Sequence, residues 1–138
     1  MAEVPKAGAT YEDVLNAPAG MIAELVAGEL LLQPRPAAKH VHSASRIGAL
    51  LTPPFELGRA GPGGWMILDE PELHLGVGPD IVVPDLAGWR RENMEALPEV
   101  PYLTQAPDWL CEVLSPATRA HDRVRKMPVY CREGGAHV

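Results

Sequence analysis

The sequence has few cysteines, no long apolar run and no excess of basic residues, and each shortage narrows the class of protein. Cys111 and Cys131 are its two cysteines, and neither belongs to a CxxC pair, which argues against a disulfide framework and a structural zinc site. The apolar runs are far shorter than the roughly 20 residues of a membrane-spanning helix. Residues 1–6 lack the apolar core of an export signal. We therefore expect a cytoplasmic protein with free thiols and no membrane contact.

The charge balance is acidic, with 12 Lys and Arg against 18 Asp and Glu and a formal net charge of −6. This balance argues against broad electrostatic binding to nucleic acid, which depends on clustered Lys and Arg. It does not exclude a nuclease, because acidic metal ligands lower the net charge and a local basic stripe could still face a phosphate. The length of 138 residues and the hydrophobic share of 46% fit one domain with a buried core.

Local patterns predict short strands separated by turns, with helices between some of them. Thr10 followed by Asp13 is typical of a capped helix start. Apolar residues recur at three- and four-residue steps from Lys39 to Leu51, which predicts a helix that ends before Pro53. We expect an α/β (α+β) domain with a central mixed β-sheet flanked by helices. The predicted strands are 24–32 (two strands with a turn near Gly28), 65–68, 72–75, 80–89 (interrupted at Pro84), 109–114 and the first residues of another at 136–138. A helix is predicted at 122–132, where Pro128 should introduce a kink or remove one backbone hydrogen bond.

Acidic residues in the strand-like segments are the candidates for a metal site. Pro-Asp pairs end at Asp80, Asp85 and Asp108. Asp108 and Glu112 would lie about 13 Å apart on one strand, at roughly 3.3 Å per residue, which is too far to share an ion. If the strand that begins at Asp85 is the antiparallel neighbour of the strand that ends near Glu112, these two carboxylates lie side by side. Oxygen ligands of this kind suit Mg²⁺.

A phosphate-cleaving site of this type also needs a cation, and its position in this chain is unusual. The PD-(D/E)xK motif of many nucleases has Lys two residues after Glu, where this chain has Leu114. Lys126 is the substitute candidate, because a helix packed across the sheet could deliver it to the site to stabilise charge on a phosphate. Asp122 and Tyr130 lie four residues to either side of it on the same helical face. The alternative is an exposed Lys126 that pairs with Asp122.

One set of motifs extends over nearly the whole chain. It comprises PDLAGWRR at 84–91, APDWLCEVLSPAT at 106–118, the series Asp122, Lys126 and Tyr130, and ELVAGEL at 24–30 with a later Pro-Arg-Pro and His40. These motifs resemble the large bacterial Uma2 family of predicted restriction endonucleases. The resemblance implies a restriction-endonuclease-like core of the PD-(D/E)xK superfamily, with the catalytic Lys moved to the following helix. That relocation would account for Leu114.

The resemblance also implies an activity, which is Mg²⁺- or Mn²⁺-dependent endonucleolytic hydrolysis of DNA. Two alternatives remain open: a non-catalytic binding or assembly module that keeps the nuclease fold, and a phosphoesterase that acts on another substrate. The candidate residues are Asp85 and Glu112 as catalytic metal ligands, Glu24 as a further metal ligand, Lys126 as the catalytic cation, and His40 and Tyr130 as substrate contacts or packing residues.

The C-terminus differs from the pattern of the resembled family. Members continue past a segment like residues 134–138 into a further strand and a terminal hairpin, whereas this sequence ends at Val138. We therefore expect the domain to be truncated, with its C-terminal strands missing. An unpaired sheet edge favours association, so the isolated chain is expected either to aggregate or to form a homodimer through that edge.

Overall fold

The computed structural model describes residues 8–116 and 125–133, which fold into two antiparallel β-sheets with helices packed against them. In these ranges no helix has the length and apolar character to cross a membrane. The α+β class predicted from the sequence is confirmed. The helices are α1 (Tyr11–Leu15), α2 (Ala38–Leu51) and α3 (Met127–Arg132), and the strands are β1 (Met21–Val26), β2 (Glu29–Pro34), β3 (Trp65–Asp69), β4 (Leu73–Leu75), β5 (Asp80–Val82), β6 (Leu86–Arg90) and β7 (Trp109–Cys111).

The first sheet has four strands in the order β2-β1-β5-β4. The predicted hairpin of β1 and β2 turns at Ala27 and Gly28, whose φ angles are 52° and 77°, and two positive φ angles match the twist of a tight hairpin. The Asp80 carboxylate accepts the Ala27 N–H at 2.7 Å and so holds this turn against β5. β4 and β5 are buried throughout, so this sheet contributes much of the core.

The second sheet has three strands in the order β3-β6-β7. The predicted metal ligands Asp85 and Glu112 lie at the ends of two of these strands. β6 and β7 are antiparallel, with Leu86 opposite Cys111. The register therefore places Asp85, just before β6, beside Glu112, just after β7. The predicted strand at 109–114 is shorter in the structure, because β7 has three residues, of which only Leu110 is buried. Within residues 8–116 and 125–133 β7 pairs on one side alone, and this leaves its flanking residues half-buried.

The pairing of the strands differs from the single mixed sheet predicted from the sequence. All strand pairs in the described residues are antiparallel, and parallel pairing is limited to a bridge between Leu73 and Leu103. Short turns account for two of these pairs, β1-β2 and β4-β5, because a tight turn can only join antiparallel strands. The chain crosses from β5 into the second sheet at Pro84, where a strand interior cannot continue.

The helices confirm one proline prediction and alter another. α2 ends at Leu51, before Pro53 as predicted, and the backbone continues into a π-helical turn at Thr52–Glu56 that contains Pro53. Pro128 lies in the first turn of α3, where its missing N–H is tolerated, and not in the interior of a longer α-helix. The predicted helical residues 122–124 and the predicted strand at 136–138 lie outside the described residues.

The core joins both sheets to α3. Leu73, Val82 and Trp89 are wholly buried, and Val129 and Tyr130 of α3 pack into the same cluster. Burying an aliphatic or aromatic side chain stabilises a fold by about 1.5–3 kcal/mol. These contacts therefore fix α3, and with it the residue that precedes it, Lys126.

Candidate active site

Asp85 is held at both carboxylate oxygens at the start of β6. Its Oδ2 accepts the Val113 N–H at 2.6 Å. Its Oδ1 lies 2.6 Å from Nε2 of His40, which is in the first turn of α2. The main-chain contact ties Asp85 to the segment that follows β7, the same segment that carries Glu112. The structure therefore brings the two predicted carboxylates to adjoining strand ends, as the antiparallel argument required.

Lys126 is buried among carboxylates and is not an exposed helix residue. Its side chain is 2% exposed, and its Nζ lies 2.7 Å from Glu112 Oε1 and 2.8 Å from Glu24 Oε2. It also donates to the carbonyl oxygen of Val83 at 3.3 Å. An ammonium group has three N–H donors, and the described residues alone offer three acceptors. The alternative pairing with Asp122 involves a residue outside the described ranges.

The charges around Lys126 keep it protonated. Burial alone would lower the pKa of its ammonium group, but the adjacent carboxylates of Glu24 and Glu112 outweigh that effect and raise the pKa above its ordinary value. Lys126 therefore supplies a fixed positive charge near neutral pH and is unsuited to act as a general base. A fixed cation is what stabilises charge that develops on a phosphate.

Cys111 is the last residue of β7, and the charges of both Asp85 and Glu112 affect its thiol. Its pKa is raised first by burial and then by the negative charges of Asp85 and Glu112. A thiol with a raised pKa is a poor nucleophile, so Cys111 is not a candidate for covalent chemistry. Its dependence on both charges is consistent with the register that sets Asp85 beside Glu112.

Glu24 and Tyr130 contact the charged residues of the site and are themselves almost inaccessible. Glu24 is 4% exposed, and its Oε2 accepts the Val83 N–H at 2.8 Å in addition to its contact with Lys126. Tyr130 is 1% exposed, and its hydroxyl donates to Glu112 Oε1 at 2.8 Å. These contacts make both residues partners of Lys126 or Glu112, and the predicted roles of Glu24 as a further metal ligand and of Tyr130 as a substrate contact stay predictions.

The other Pro-Asp pairs have structural partners away from this cluster. Asp80 binds the Ala27 N–H and the guanidinium of Arg132. Asp108 accepts the Arg90 N–H and the side-chain amide of Asn93, both at 2.8 Å. Sequence reasoning missed the main-chain groups of Val83 and Val113. No sequence signal could have identified them, because every residue apart from proline carries the same main-chain donor and acceptor.

Carboxylate oxygens are the ligands that a hard divalent cation prefers. Glu24, Asp85 and Glu112 contribute three carboxylates against the one ammonium of Lys126. In the described residues no group of three or more His, Cys, Asp or Glu side chains is arranged to hold an ion. Mg²⁺ commonly needs only one or two protein carboxylates, because it retains waters and binds phosphate oxygens. Asp85 and Glu112 are the pair that would hold it.

The comparisons with known proteins agree on the class of protein. A crystal structure from Anabaena variabilis, described as "a putative nuclease belonging to DUF820", matches with a TM-score of 0.60 and 22% identity. The match covers 79% of this chain but only 60% of that one. The chain therefore shares the fold of that protein. No curated protein matches the chain.

A comparison of the sequence with family models identifies the family of this chain. The Uma2 family, described as "Putative restriction endonuclease", matches residues 9–138. The chain belongs to this family, as the motifs at 84–91 and 106–118 predicted. The site described above lies within the matched range.

Proposed function

We propose that the protein is a divalent-metal-dependent endonuclease that hydrolyses phosphodiester bonds in DNA. The observation that carries the proposal is the convergence of Asp85, Glu112 and Lys126 at the adjoining ends of β6 and β7. The chain belongs to a family described as "Putative restriction endonuclease", and this membership supports DNA as the substrate. Two carboxylates and a fixed ammonium are the parts that metal-assisted phosphate hydrolysis requires.

Each residue has a role that follows from its contacts. Asp85 and Glu112 would hold Mg²⁺ or Mn²⁺, which when bound would polarise the phosphate and lower the pKa of a bound water. Lys126 provides the positive charge that offsets charge developing on the phosphate. Its acceptors compete for that charge, so productive contact with a phosphate requires Lys126 to share or exchange one of the hydrogen bonds that it makes with Glu24, Glu112 and Val83.

The surrounding residues orient this set. His40 contacts Asp85 at 2.6 Å, which limits rotation of the carboxylate, and its contact with substrate stays a prediction. Tyr130 fixes Glu112, and Glu24 fixes Lys126. Positioning contacts of this kind matter because a misplacement of about 1 Å can reduce a catalysed rate about 100-fold.

The test is cleavage of supercoiled plasmid DNA with Mg²⁺ or Mn²⁺, compared with the same reaction in EDTA. We expect nicked or linear product only with metal, and a loss of at least about 100-fold in Asp85→Asn and Glu112→Gln. Glu99→Gln is the matched control, because Glu99 is an exposed carboxylate. Cleavage that persists in EDTA, or in both site variants, would contradict the proposal.

A second candidate function is a non-catalytic DNA-binding module, and one observation favours it. The ammonium of Lys126 already faces three acceptors within hydrogen-bond range, so the cluster could serve stability alone. That function predicts that the protein binds duplex DNA and leaves it intact at every metal concentration. Tested side by side, a binding assay and the plasmid assay separate the two functions, and an RNA and mononucleotide panel tests a phosphoesterase with another substrate.

A further inference from the structure

Acidic residues are missing from one continuous stretch of this acidic protein. From Leu30 to Phe55 the chain has no Asp or Glu, although 18 of the 138 residues are acidic. The same stretch contains Arg35, Lys39 and Arg46. It therefore has a formal charge of +3 in a protein whose net charge is −6, and all of α2 lies within it.

The helix gathers basic side chains on one face. Lys39, His42 and Arg46 are separated by three and four residues, the spacing that aligns side chains along an α-helix. All three are exposed. We call this row the α2 stripe. From its first to its last residue it extends about 10 Å along the helix axis, at 1.5 Å per residue.

The opposite face of α2 packs against the protein. Gly48 is the buried residue of this helix, and a Cβ added there would lie 3.1 Å from Asp69 Oδ1 and 3.3 Å from a methyl of Leu86. Gly48 lies about half a turn around the helix from the α2 stripe, at 3.6 residues per turn. In the described part of the chain the charged groups of the stripe have no ion-pair partner, so their charge faces solvent.

The α2 stripe begins beside the candidate active site. His40, which contacts Asp85 at 2.6 Å, is the residue next to Lys39. A polyanion that enters the site past His40 can therefore continue along a row of basic side chains that leads away from it. Duplex DNA presents phosphates of one strand at about 3.4 Å per base pair along its axis, so the stripe matches the length of about three base pairs.

We propose that the α2 stripe binds the phosphate backbone of duplex DNA next to the cleaved bond. The inference rests on the proposed nuclease function, because that function supplies the polyanion, and it goes further by naming the surface that holds it. Phosphate contacts of this kind position a duplex and carry no base specificity. The local charge of α2 also explains how a protein with net charge −6 could bind nucleic acid at all.

The experiment measures binding of the intact protein to a fluorescein-labelled 20-base-pair duplex by anisotropy, in EDTA and over a range of KCl concentrations. The test variant is Lys39→Gln/Arg46→Gln. The matched control is Arg59→Gln/Arg91→Gln, which removes two exposed arginines outside the acid-free stretch and changes the net charge equally. We expect the test variant to lose about 1.8 from the slope of log K against log [KCl], about 0.9 per lost phosphate contact, and the control to keep the parental slope.

The outcomes separate this inference from the proposed function. Equal weakening of the two double variants, or a test variant with the parental slope, would overturn the α2 stripe even if the parent cleaves plasmid. A parent that shows no binding to the duplex would also overturn it. A parent that binds through the stripe and yet never cleaves with Mg²⁺ or Mn²⁺ would support the stripe and contradict the nuclease function. Circular dichroism of both variants checks that each keeps the parental fold.

Discussion

A basic residue at each end of helix α3 forms ion pairs with carboxylates, and the two basic residues differ in burial. Lys126, just before the helix, is 2% exposed and lies between Glu24 and Glu112. Arg132, at the last residue, is 54% exposed and pairs with Asp80 at 2.6 Å. Both cations have two carboxylate partners, because Arg132 also contacts Glu133. The same short helix thus has, among the described residues, a cation between two carboxylates at each end, buried at Lys126 and exposed at Arg132.

The difference in burial favours the ion pairs of Lys126, over those of Arg132, as the set that serves the proposed function. An exposed ion pair gives little stability, because water screens it. A buried ion pair costs desolvation, and apolar residues of similar volume often replace it without loss of stability. Burial of Lys126 with two glutamates is therefore poorly explained by folding energy. A preorganised charge beside the proposed metal-binding pair explains it better.

Removal of the buried charge should have the largest effect on stability. Lys126→Met removes the buried ammonium that contacts Glu24 and Glu112, and breaking a buried pair from one side costs about 3–5 kcal/mol. Urea denaturation should show this as a lower midpoint with an unchanged slope. Lys39→Met, at an exposed lysine, is the control and should stay within about 0.5 kcal/mol of the parent.

The triple variant Glu24→Gln/Glu112→Gln/Lys126→Met sharpens this test. It removes all three charges, so most of the lost stability should return while cleavage stays absent. A Lys126→Met protein as stable as the parent would show that the three charges are not coupled.

Metal binding should depend on Glu112 more than on Lys126. Calorimetric titration with Mn²⁺ should give binding in the parent, at least about 10-fold weaker in Glu112→Gln because one of two carboxylate ligands is lost. Binding to Glu99→Gln should match the parent. If Glu112→Gln binds the ion as tightly as the parent, Glu112 is not a ligand.

The raised pKa of Lys126 predicts a specific alkaline response. A lysine whose folded pKa exceeds its unfolded value, about 10.4, stabilises the fold fully below the unfolded pKa and loses that contribution as pH rises through the folded pKa. The stability gap between the parent and Lys126→Met should therefore be constant from pH 7 to 9 and narrow only above about pH 10. A gap that closes below pH 9 would contradict the raised pKa.

Loss of the exposed Arg132–Asp80 ion pair should have the smallest effect on stability. Arg132→Ala removes the cation from Asp80, but Asp80 keeps the Ala27 N–H as a donor, and water can replace the guanidinium. We expect a denaturation midpoint close to that of the parent and unchanged plasmid cleavage. A drop as large as that of Lys126→Met would remove the contrast between the two ends of α3.

Sequence reasoning was effective where the signal was local or set by register. The hairpin at Gly28, the helix at 39–51 and the adjacency of Asp85 and Glu112 followed from turn chemistry, periodicity and antiparallel direction. The partition into two sheets did not follow, because short apolar strands of similar composition do not specify which neighbours they pair with. The Glu24–Lys126 contact joins residues about 100 positions apart in the chain, and no local pattern encodes such a distance.

The central claim is that Asp85 and Glu112 share a divalent ion beside the Lys126 ammonium. Anomalous diffraction from crystals of the full chain soaked in Mn²⁺ tests it most directly. We predict one strong peak at about 2.0–2.3 Å from an oxygen of each carboxylate, a range typical of small hard cations, and its loss in Glu112→Gln crystals. A peak bound only elsewhere, or crystals with no peak between these carboxylates, would contradict the claim.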